Sequence, residues 1–543
     1  MMKRYVLPGV FFIAVFLRLY ALATVPPSPS LDEVSIGYNA HSILSTGKDE
    51  YGNMFPTLLR AYDDYRPALY VYLTIPFVAV LGLTAMAVRI PSVILSILTV
   101  AAAYGIGKMI GKKYFSFSGL GYIAAFLLSI SPWHIYISRL GHEANLGLAL
   151  VSLGVYFLLS AAIEGKKFSW ILSAIFMGLS VHGYQSEKIV SPLLMVSGFV
   201  LFWKEVLRVK REVLFSCVIG ILIAFPALLA TVSPEGMVRF RGTSAFSPDA
   251  PIIVESTGRY IDAQRKNDRM GMMLNSKYVA YATVFAQNYS SHFSPIWLFM
   301  GESREAHKVP GLGLLYLWEA PFLILGVWAL MRSKISKKTA LFIFLSLLIA
   351  PIPASVTTQA PHAMRSYTVI PLLQLVEAMG IWFVVMRIKP KKSQVFAAVL
   401  GGCAVLGLIT FWNGYFVRFP KEQSDSFQYA LAPAIRYALA EEKNYKRIEF
   451  SHQGSLYQSY MFFLFYSRFD PSTYLSSGGT TSGGYEASHA IGKYSFGFLP
   501  QRPEDLKDET LYFYDAKLLP NGARVIERFA NMDDTEVIVA AVK

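Results

Sequence analysis

Cysteine is nearly absent from this sequence. Among its 543 residues only Cys217 and Cys403 are cysteines, and both lie inside apolar runs. They provide neither a disulfide framework nor a thiolate metal site. The sequence also lacks an internal repeat, a glycine-rich phosphate loop, a Cys/His zinc spacing and a nucleotide-binding signature. These absences argue against a disulfide scaffold, a solenoid, a zinc module and a nucleotide-dependent enzyme.

Acidic residues are also scarce. The chain has 36 Asp and Glu against 50 Lys and Arg, which gives a net charge of +14. A basic excess can indicate nucleic-acid binding, but here the tightest basic clusters lie in short connections between apolar runs. This pattern is typical of cytoplasmic loops in membrane proteins. We therefore expect no nucleic-acid partner.

Apolar residues dominate the chain, with 54% hydrophobic content and a mean hydropathy of +0.41. Runs long enough to cross a bilayer recur along its first three quarters, so the sequence predicts a polytopic α-helical membrane protein. The predicted spans are residues 5–24, 88–110, 115–131, 144–163, 168–184, 188–204, 213–231, 313–331, 339–357, 367–386 and 393–414.

The apolar segment Ala68–Thr84 is left out of this count. Counting it would place every basic cluster after the first on the outer side, against the positive-inside rule. We interpret it as a juxtamembrane helix in the outer interface. The run Tyr5–Thr24 is longer than a signal-peptide core, so it is taken as an uncleaved first span. About eleven spans result, with the N-terminus in the cytoplasm and the protein in the cell membrane.

This topology defines two parts of the chain. Residues 1–418 form a transmembrane domain with a first outer loop at 26–87 and a long outer loop at 233–312. Residues 419–543 have the composition of a soluble extracytoplasmic α/β domain. The elements predicted there are a helix at Ser424–Glu442, strands at Arg447–Ser451, Leu511–Tyr514 and Glu536–Val542, and a Ser/Gly-rich loop at Ser476–Gly484.

Two adjacent carboxylates, Asp32 and Glu33, follow the first span. Acidic side chains at a bilayer are costly, and those that persist usually handle a substrate, an ion or a proton. The alternative is that Asp32 is simply the N-cap of a helix beginning at Glu33. The residues alone favour neither interpretation.

A second polar group follows the span 115–131. Arg139 and Glu143 are four residues apart, so on one helix face they would form a charged pair near Asp32. Alternatively, Glu143 favours a helix N-terminus through its negative charge. We expect Glu143 to be functional.

Five further candidates lie at predicted span ends or loop entrances. Arg365, next to His362, suits phosphate binding because its planar guanidinium donates parallel hydrogen bonds; the alternative is an arginine extended toward lipid headgroups. Lys188, close to His182, has the same two interpretations. Glu319 is a carboxylate inside a span and so a functional candidate, or only the partner of a basic group. Outer His/Glu groups leave a divalent ion open, but no tight spacing assigns a metal ligand.

Several short motifs, in this order, resemble the membrane-integral C-type glycosyltransferases, the superfamily of protein O-mannosyltransferases and bacterial aminoarabinose lipid A transferases. The resemblance covers most of residues 1–420. Ala68 follows Pro67 where many relatives have a second proline, and Glu143 stands where several have Asp. The motifs are Leu31-Asp32-Glu33, Arg66-Pro67-Ala68-Leu69-Tyr70, Arg89-Ile90-Pro91-Ser92, Ser131-Pro132-Trp133-His134 through Arg139 and Glu143, Tyr184-Gln185 before Pro192, and Pro361-His362-Ala363-Met364-Arg365.

The resemblance implies transfer of a sugar from a polyprenyl-phosphate carrier to an acceptor hydroxyl, outside the cytoplasm and with inversion. The acceptor class, whether protein, lipid or glycan, stays open. We expect activity without divalent ions, although relatives differ in using metals. The missing nucleotide site agrees with a donor that enters from the bilayer.

A mechanism follows as a hypothesis. A carboxylate takes the proton of the acceptor, and positive charge holds the departing phosphate. We assign Asp32 as the base, with Glu33 and Glu143 shaping the site. His362 and Arg365 bind phosphate, and Arg66, Arg139 and Lys188 are weaker phosphate candidates. The acids and the basic loop are expected to converge in one chamber.

Two other functions compete with this one. A transporter or flippase for lipid-linked saccharides would also be polytopic and charged, although such proteins often show repeats and charges at midspan. A scaffold protein that binds envelope components through its outer domain would tolerate changes at Asp32 and Arg365.

Overall fold

The computed structural model describes residues 3–301, 307–332, 334–484 and 487–543. Residues 302–306 of the predicted outer loop 233–312 lie outside these ranges. The helices are α1 Lys3–Leu19, α2 Leu31–Thr46, α3 Leu69–Leu81, α4 Ala85–Phe115, α5 Leu120–Ile130, α6 Pro132–Ser138, α7 Glu143–Glu164, α8 Phe168–Ser180, α9 Glu187–Leu201, α10 Trp203–Arg208, α11 Lys210–Thr231, α12 Pro234–Thr243, α13 Pro251–Arg265, α14 Arg269–Leu274, α15 Lys277–Ser291, α16 Pro295–Phe299, α17 Ala320–Arg332, α18 Lys337–Ile349, α19 Ile352–Ser355, α20 Ile370–Val385, α21 Pro390–Trp412, α22 Phe419–Glu422, α23 Leu431–Ala440, α24 Ser459–Ser467 and α25 Pro471–Ser476. The strands are β1 Leu58–Ala61, β2 Asp64–Pro67, β3 Arg447–Ser451, β4 His489–Ile491, β5 Tyr494–Gly497, β6 Thr510–Asp515, β7 Arg524–Ala530 and β8 Glu536–Val542.

Six helical stretches in the described residues are long and apolar enough to cross a membrane. A seventh is obtained if α5 and α6, which meet at a bend of 60°, form one span. All seven coincide with predicted spans, so the prediction of a polytopic helical protein is confirmed. The six are Ala85–Phe115, Glu143–Glu164, Lys210–Thr231, Lys337–Ser355, Tyr367–Val385 and Pro390–Glu422.

The other four predicted spans correspond to shorter helices, and the count of eleven is not confirmed. Helices α8 and α17 have 13 residues each, α9 has 15 and α1 has 17. An upright helix needs about 20 residues to cross the hydrocarbon core. Apolar residues continue past the ends of these four helices. The hydropathy of the sequence therefore does not show where each helix ends.

The chain forms two compact units. The first unit contains the residues up to Leu17 together with Leu95–Ile137 and Ala144–Phe411. The second contains Arg18–Ile94, Ser138–Glu143 and Trp412–Lys543. The first outer loop thus belongs to the same unit as the C-terminal region, and the boundary between residues 418 and 419 stays a prediction.

Helices of the first unit approach one another closely where glycine faces a neighbour. In the pair α17 and α20, a Cβ atom built on Gly326 would lie 1.9 Å from the carbonyl oxygen of Val376. A Cβ atom on Gly380 would lie 1.9 Å from the carbonyl oxygen of Phe322. Small residues at such crossings let helix backbones pack directly, as in membrane helix pairs.

The change Gly380→Val should therefore separate α17 from α20 and lower the thermal unfolding temperature. Overpacking of this kind costs about 1–3 kcal/mol or more. Gly401→Val is the matched control, because nothing lies within 4 Å of a Cβ atom on Gly401. Equal unfolding temperatures for the two variants in a thermal scan would contradict the tight crossing.

The second unit is built on a six-stranded sheet with the strand order β4-β5-β3-β6-β8-β7. Strand β3 pairs in parallel with β5 and β6, and the other pairs are antiparallel. All six residues of β6 are buried, as expected for a central strand covered on both faces. The rings of Phe450 and Phe513 stack with centroids 4.3 Å apart in the core between β3 and β6.

The predicted strands of this region are confirmed, and the predicted helix at Ser424–Glu442 is shorter, as α23. The first outer loop adds α2, α3 and the antiparallel hairpin β1–β2, in which Arg66 lies opposite Leu59. Helix α2 packs against α3, α24 and α25. This packing fixes the start of α2, where the candidate acids lie.

Candidate functional site

Asp32 lies in the first turn of α2. Ser30 is the N-cap, since its Oγ accepts the backbone N–H of Glu33 at 3.3 Å while Glu33 Oε2 accepts the backbone N–H of Ser30 at 2.8 Å. This reciprocal capping box fixes the start of the helix. The alternative that Asp32 is the N-cap is therefore wrong. The Asp32 carboxylate, 46% exposed, makes its contacts outside the helix.

Glu33 is buried, and both of its carboxylate oxygens are engaged. Oε1 accepts Arg89 Nε at 2.7 Å and the backbone N–H of Gly141 at 2.9 Å, and Oε2 accepts Arg89 Nη2 at 3.2 Å. A buried ion pair is tolerated when such hydrogen bonds satisfy both groups. Glu33 thereby ties α2 to α4. Arg89 also donates to three backbone carbonyl oxygens, those of Leu22, Pro26 and Ser28.

A second arginine holds Asp32. Arg66, at the end of the β1–β2 hairpin, is 5% exposed and its Nη2 donates to Asp32 Oδ1 at 2.6 Å. His142 Nε2 lies 3.8 Å from Asp32 Oδ2, and His142 Nδ1 lies 3.6 Å from Glu143 Oε2. Asp32, Arg66, His142 and Glu143 form what we call the Asp32 cluster.

Two buried atoms of the Asp32 cluster have no hydrogen-bond partner among the described residues. They are Arg66 Nη1, a donor, and Glu143 Oε2, an acceptor. Burial alone would lower the pKa of the Arg66 guanidinium, but the carboxylates of Asp32 and Glu143 outweigh it and raise that pKa above its ordinary value. A permanently charged donor and a carboxylate acceptor suit a ligand with hydroxyl groups, because each hydroxyl both donates and accepts.

Arg139 is a buried residue of the second unit and lies in the segment between α6 and α7. It donates to the carbonyl oxygens of Arg18 at 2.9 Å and Val25 at 2.7 Å, and its guanidinium lies 4.9 Å from the ring centre of Phe416. The prediction that Arg139 and Glu143 share one helix face is wrong, because α6 ends at Ser138 and α7 begins at Glu143. Arg139 braces the chain that enters the first outer loop.

Glu50 is a fully buried carboxylate that connects this loop with the C-terminal region. Asn39 Nδ2 donates to its Oε1 at 3.0 Å, and Thr480 Oγ1 donates to its Oε2 at 2.8 Å. The backbone carbonyl of Glu50 accepts the N–H of Thr480 at 3.0 Å. Burial raises the pKa of the Glu50 carboxyl to about 7, although both hydrogen bonds act to lower it.

The Glu50 carboxyl predicts a pH dependence of stability. Its ordinary pKa is 4.5 and its pKa in the folded protein is about 7, so between these values the folded chain binds more protons than the unfolded chain. Stability should therefore fall as the pH rises through this window, by up to about 3 kcal/mol in total. Thermal unfolding at about pH 5 and about pH 7.5 measures the effect.

Glu50→Gln cannot ionise and should show a smaller difference between the two pH values than the wild type. Glu504→Gln is the control, since Glu504 is an exposed carboxylate of the same unit. If Glu50→Gln kept the full wild-type difference, ionisation of Glu50 would have no part in it.

In the first unit, Lys188 and Arg365 line one cavity of about 160 Å³, which we call the cationic pocket. Tyr184, Gln185 and Thr357 also line it, and no carboxylate does so in the described part of the chain. Both basic side chains are half-buried. The pocket thus offers two cations and several hydrogen-bond donors, the chemistry that binds phosphate.

Arg365 is held in place by its own loop. Its Nη1 donates to Thr357 Oγ1 at 2.7 Å and to the carbonyl oxygen of Thr358 at 3.0 Å. His362 Nδ1 accepts the backbone N–H of Arg365 at 3.3 Å, and His292 Nε2 accepts the backbone N–H of His362 at 3.1 Å. His362 therefore orients the loop next to Arg365 and does not line the pocket.

Two other predicted residues of this unit lie elsewhere. His182 Nε2 is bonded to the carbonyl oxygen of Ile223 at 2.7 Å. Glu319 is completely buried directly before α17, next to the side chains of Gln374 and Glu377 on α20. Neither residue lines the cationic pocket.

An apolar groove of about 250 Å³ lies between α8, α9 and α11. On α9 it is lined by Ser191, Pro192, Met195 and Phe199, further along the helix than Lys188 of the cationic pocket. Helix α11 shows the same order, with Leu228 in the groove and Thr231 in the pocket. The pocket and the groove thus follow one another along the same two helices.

Sequence reasoning missed three contributors to these sites. Arg89 was recognised within a motif but not as the partner of Glu33, since 56 positions separate them. His142 lies directly before Glu143 and was a detectable signal. Glu50 is one of several acids in the first outer loop, and only its burial distinguishes it. Among the described residues no group of three or more His, Cys, Asp or Glu is arranged to hold a metal ion.

Known proteins resemble this chain in part of its sequence and in its fold. Residues 65–230 match the sequence model of the family described as Dolichyl-phosphate-mannose-protein mannosyltransferase. No curated protein sequence matches the chain. The structure is similar to that of ArnT from Cupriavidus metallidurans bound to undecaprenyl phosphate, with a TM-score of 0.54, 12% identity and coverage of 98% of this chain and 96% of that one.

A second similar structure is the oligosaccharyltransferase AglB from Archaeoglobus fulgidus, in complex with an inhibitory peptide and a dolichol-phosphate. The TM-score is 0.51 at 13% identity, over 86% of this chain and 64% of that one. Both proteins share their fold with this chain at low sequence identity. The predicted resemblance to the membrane-integral C-type glycosyltransferase superfamily is confirmed.

Proposed function

We propose that this protein transfers a sugar from a polyprenyl-phosphate donor to an acceptor hydroxyl on the extracytoplasmic face of the cell membrane, with inversion at the anomeric carbon. The observation that carries the proposal is the succession of the cationic pocket and the apolar groove along α9 and α11. A lipid phosphate has the same two parts, an anionic head and an apolar chain. The proposal includes about eleven spans, a cytoplasmic N-terminus and an extracytoplasmic C-terminal region.

The departing group of such a reaction is the lipid phosphate. As the acceptor oxygen bonds to the anomeric carbon, the bond between that carbon and the phosphate oxygen breaks, and negative charge accumulates on the phosphate. Lys188 and Arg365 supply positive charge for it, and the hydrogen bonds from Arg365 to its own loop reduce the cost of reorienting the guanidinium. His362 acts through the loop that carries Arg365.

The acceptor hydroxyl must lose a proton, and Asp32 is the carboxylate we assign to receive it. It is the half-exposed acid of the Asp32 cluster, whereas the buried Glu33 is saturated by Arg89 and acts as a positioning residue. Arg66 donates a hydrogen bond to Asp32 and orients its carboxylate. Arg66 Nη1 and Glu143 Oε2 have no hydrogen-bond partner among the described residues. We assign them to bind hydroxyl groups of the sugar or the acceptor.

Asp32→Asn should leave membrane insertion unchanged and lower the transfer rate by about 10²–10⁴-fold, the usual worth of a general base. Asp63→Asn is the control, because Asp63 lies in the same loop with a side chain that is 62% exposed. Formation of glycosylated product by the purified variants measures the effect. Near-normal turnover of Asp32→Asn would remove Asp32 from this role.

Arg365→Ala should raise the KM for the polyprenyl-phosphate donor by about tenfold or more, the worth of a charged hydrogen bond. The KM for the acceptor should change little. Arg269→Ala, at an exposed arginine of the same unit, is the control. An unchanged donor KM would contradict phosphate binding by Arg365. Translocation of the donor without release of lipid phosphate would instead indicate a flippase.

A further inference from the structure

The second unit contains a cleft of about 790 Å³ that the proposed reaction does not use. Its walls are the segment 27–29, the corner 81–86 between α3 and α4, and parts of α23 and α24. Arg436 on α23 and Arg468 after α24 line it. We call it the arginine cleft.

The arginine cleft is cationic. Both arginines are exposed. In the part of the chain that the structure describes, neither of them forms an ion pair. No Asp or Glu is found among the described lining residues. Two unneutralised guanidinium groups in one concave site attract an anion, and their planar donors suit phosphate or carboxylate oxygens.

The arginine cleft also has exposed apolar side chains in its wall. Leu81 and Met86 line it and are 41% and 37% exposed, and Val80 beside them is 83% exposed. They lie where the apolar helix α3 meets α4, the corner predicted to lie in the outer interface. Isolated exposed apolar residues need no explanation, but here they border a charged cleft.

The arginine cleft also contains two tyrosines. Tyr466 and Tyr429 both line the cleft, and the hydroxyls of Tyr466 and Ser28 are hydrogen-bonded at 2.8 Å. Tyrosine is enriched at the level of lipid headgroups because its ring is apolar and its hydroxyl is polar. The arginine cleft therefore combines cations, tyrosines and exposed aliphatic side chains, the groups that suit the headgroup, interface and chain of a lipid.

We propose that the arginine cleft binds the headgroup of an anionic membrane lipid, with the lipid chains along the Leu81–Met86 corner. The inference is independent of the proposed sugar transfer. It has a positional consequence, since Pro29 in the wall of the cleft precedes Asp32 by three residues, which span at most about 10 Å. The bound headgroup would lie beside the segment that Arg89 clamps.

The test is native mass spectrometry of the purified full-length protein in neutral detergent, titrated with phosphatidylglycerol or phosphatidylcholine. We expect one phosphatidylglycerol to bind in preference to phosphatidylcholine. The variant R436Q/R468Q should lose at least about tenfold in affinity, since each charged hydrogen bond contributes at least that much. R436K/R468K, which keeps both charges, should retain more of the affinity than the glutamine variant.

The control is R447Q/R524Q, which removes two exposed arginines of the same unit outside the cleft and should bind phosphatidylglycerol normally. Wild-type affinity in R436Q/R468Q, or equal binding of phosphatidylcholine, would overturn the proposal. Displacement of the lipid by inorganic phosphate at a similar concentration would show a site for soluble anions and would also overturn it. Thermal unfolding of each variant establishes that it is folded.

Discussion

The pairing of Glu33 with Arg89 is the interaction on which the first outer loop depends. Two charges are removed from solvent there, and the cost is met because Arg89 binds three backbone carbonyl oxygens while Glu33 also accepts two backbone N–H groups. This arrangement fixes the chain before α2 as well as the direction of the helix. Asp32, one residue earlier, consequently faces Arg66 and His142.

In the first unit, too, neighbouring residues hold one charged side chain in a fixed orientation. Arg365 has a fixed orientation because Thr357 and Thr358 accept its hydrogen bonds and His362 receives the backbone N–H of Arg365. In each unit one charged residue is left at an accessible surface and its neighbours are used to hold it. Charged groups that are already oriented favour reactions in which charge shifts in the transition state, because these groups need little reorientation during the reaction.

Much of this organisation could be read from the sequence because it follows from local patterns. The strands at Arg447–Ser451 and Glu536–Val542 alternate in polarity or are rich in β-branched residues, and both were predicted within their observed bounds. Helix α24 was missed because Ser459–Ser467 is too short and too uniformly apolar to show a period. The predicted spans are longer than the observed helices where apolar residues continue beyond a helix end.

The site residues divide in the same way. Asp32 and Glu143 were predicted as functional from charge and position, and Arg66 from a motif. The structure groups all three. The partner of Glu33 and the burial of Glu50 depend on contacts between distant parts of the chain, which no single-sequence pattern records. The pairing of Arg139 with Glu143 on one helix face was wrongly predicted, because the helix is interrupted between α6 and α7, where the sequence allowed one continuous helix.

The central claim is that the protein cleaves a lipid-linked sugar and releases the carrier phosphate. The most direct measurement is to incubate the purified protein with a panel of polyprenyl-phosphate sugars and membrane extract as acceptor, and to quantify free polyprenyl phosphate. The account predicts release of the lipid phosphate from at least one donor, together with glycosylated acceptor. If every donor stayed intact while the protein was folded and bound the lipid, the account would be contradicted.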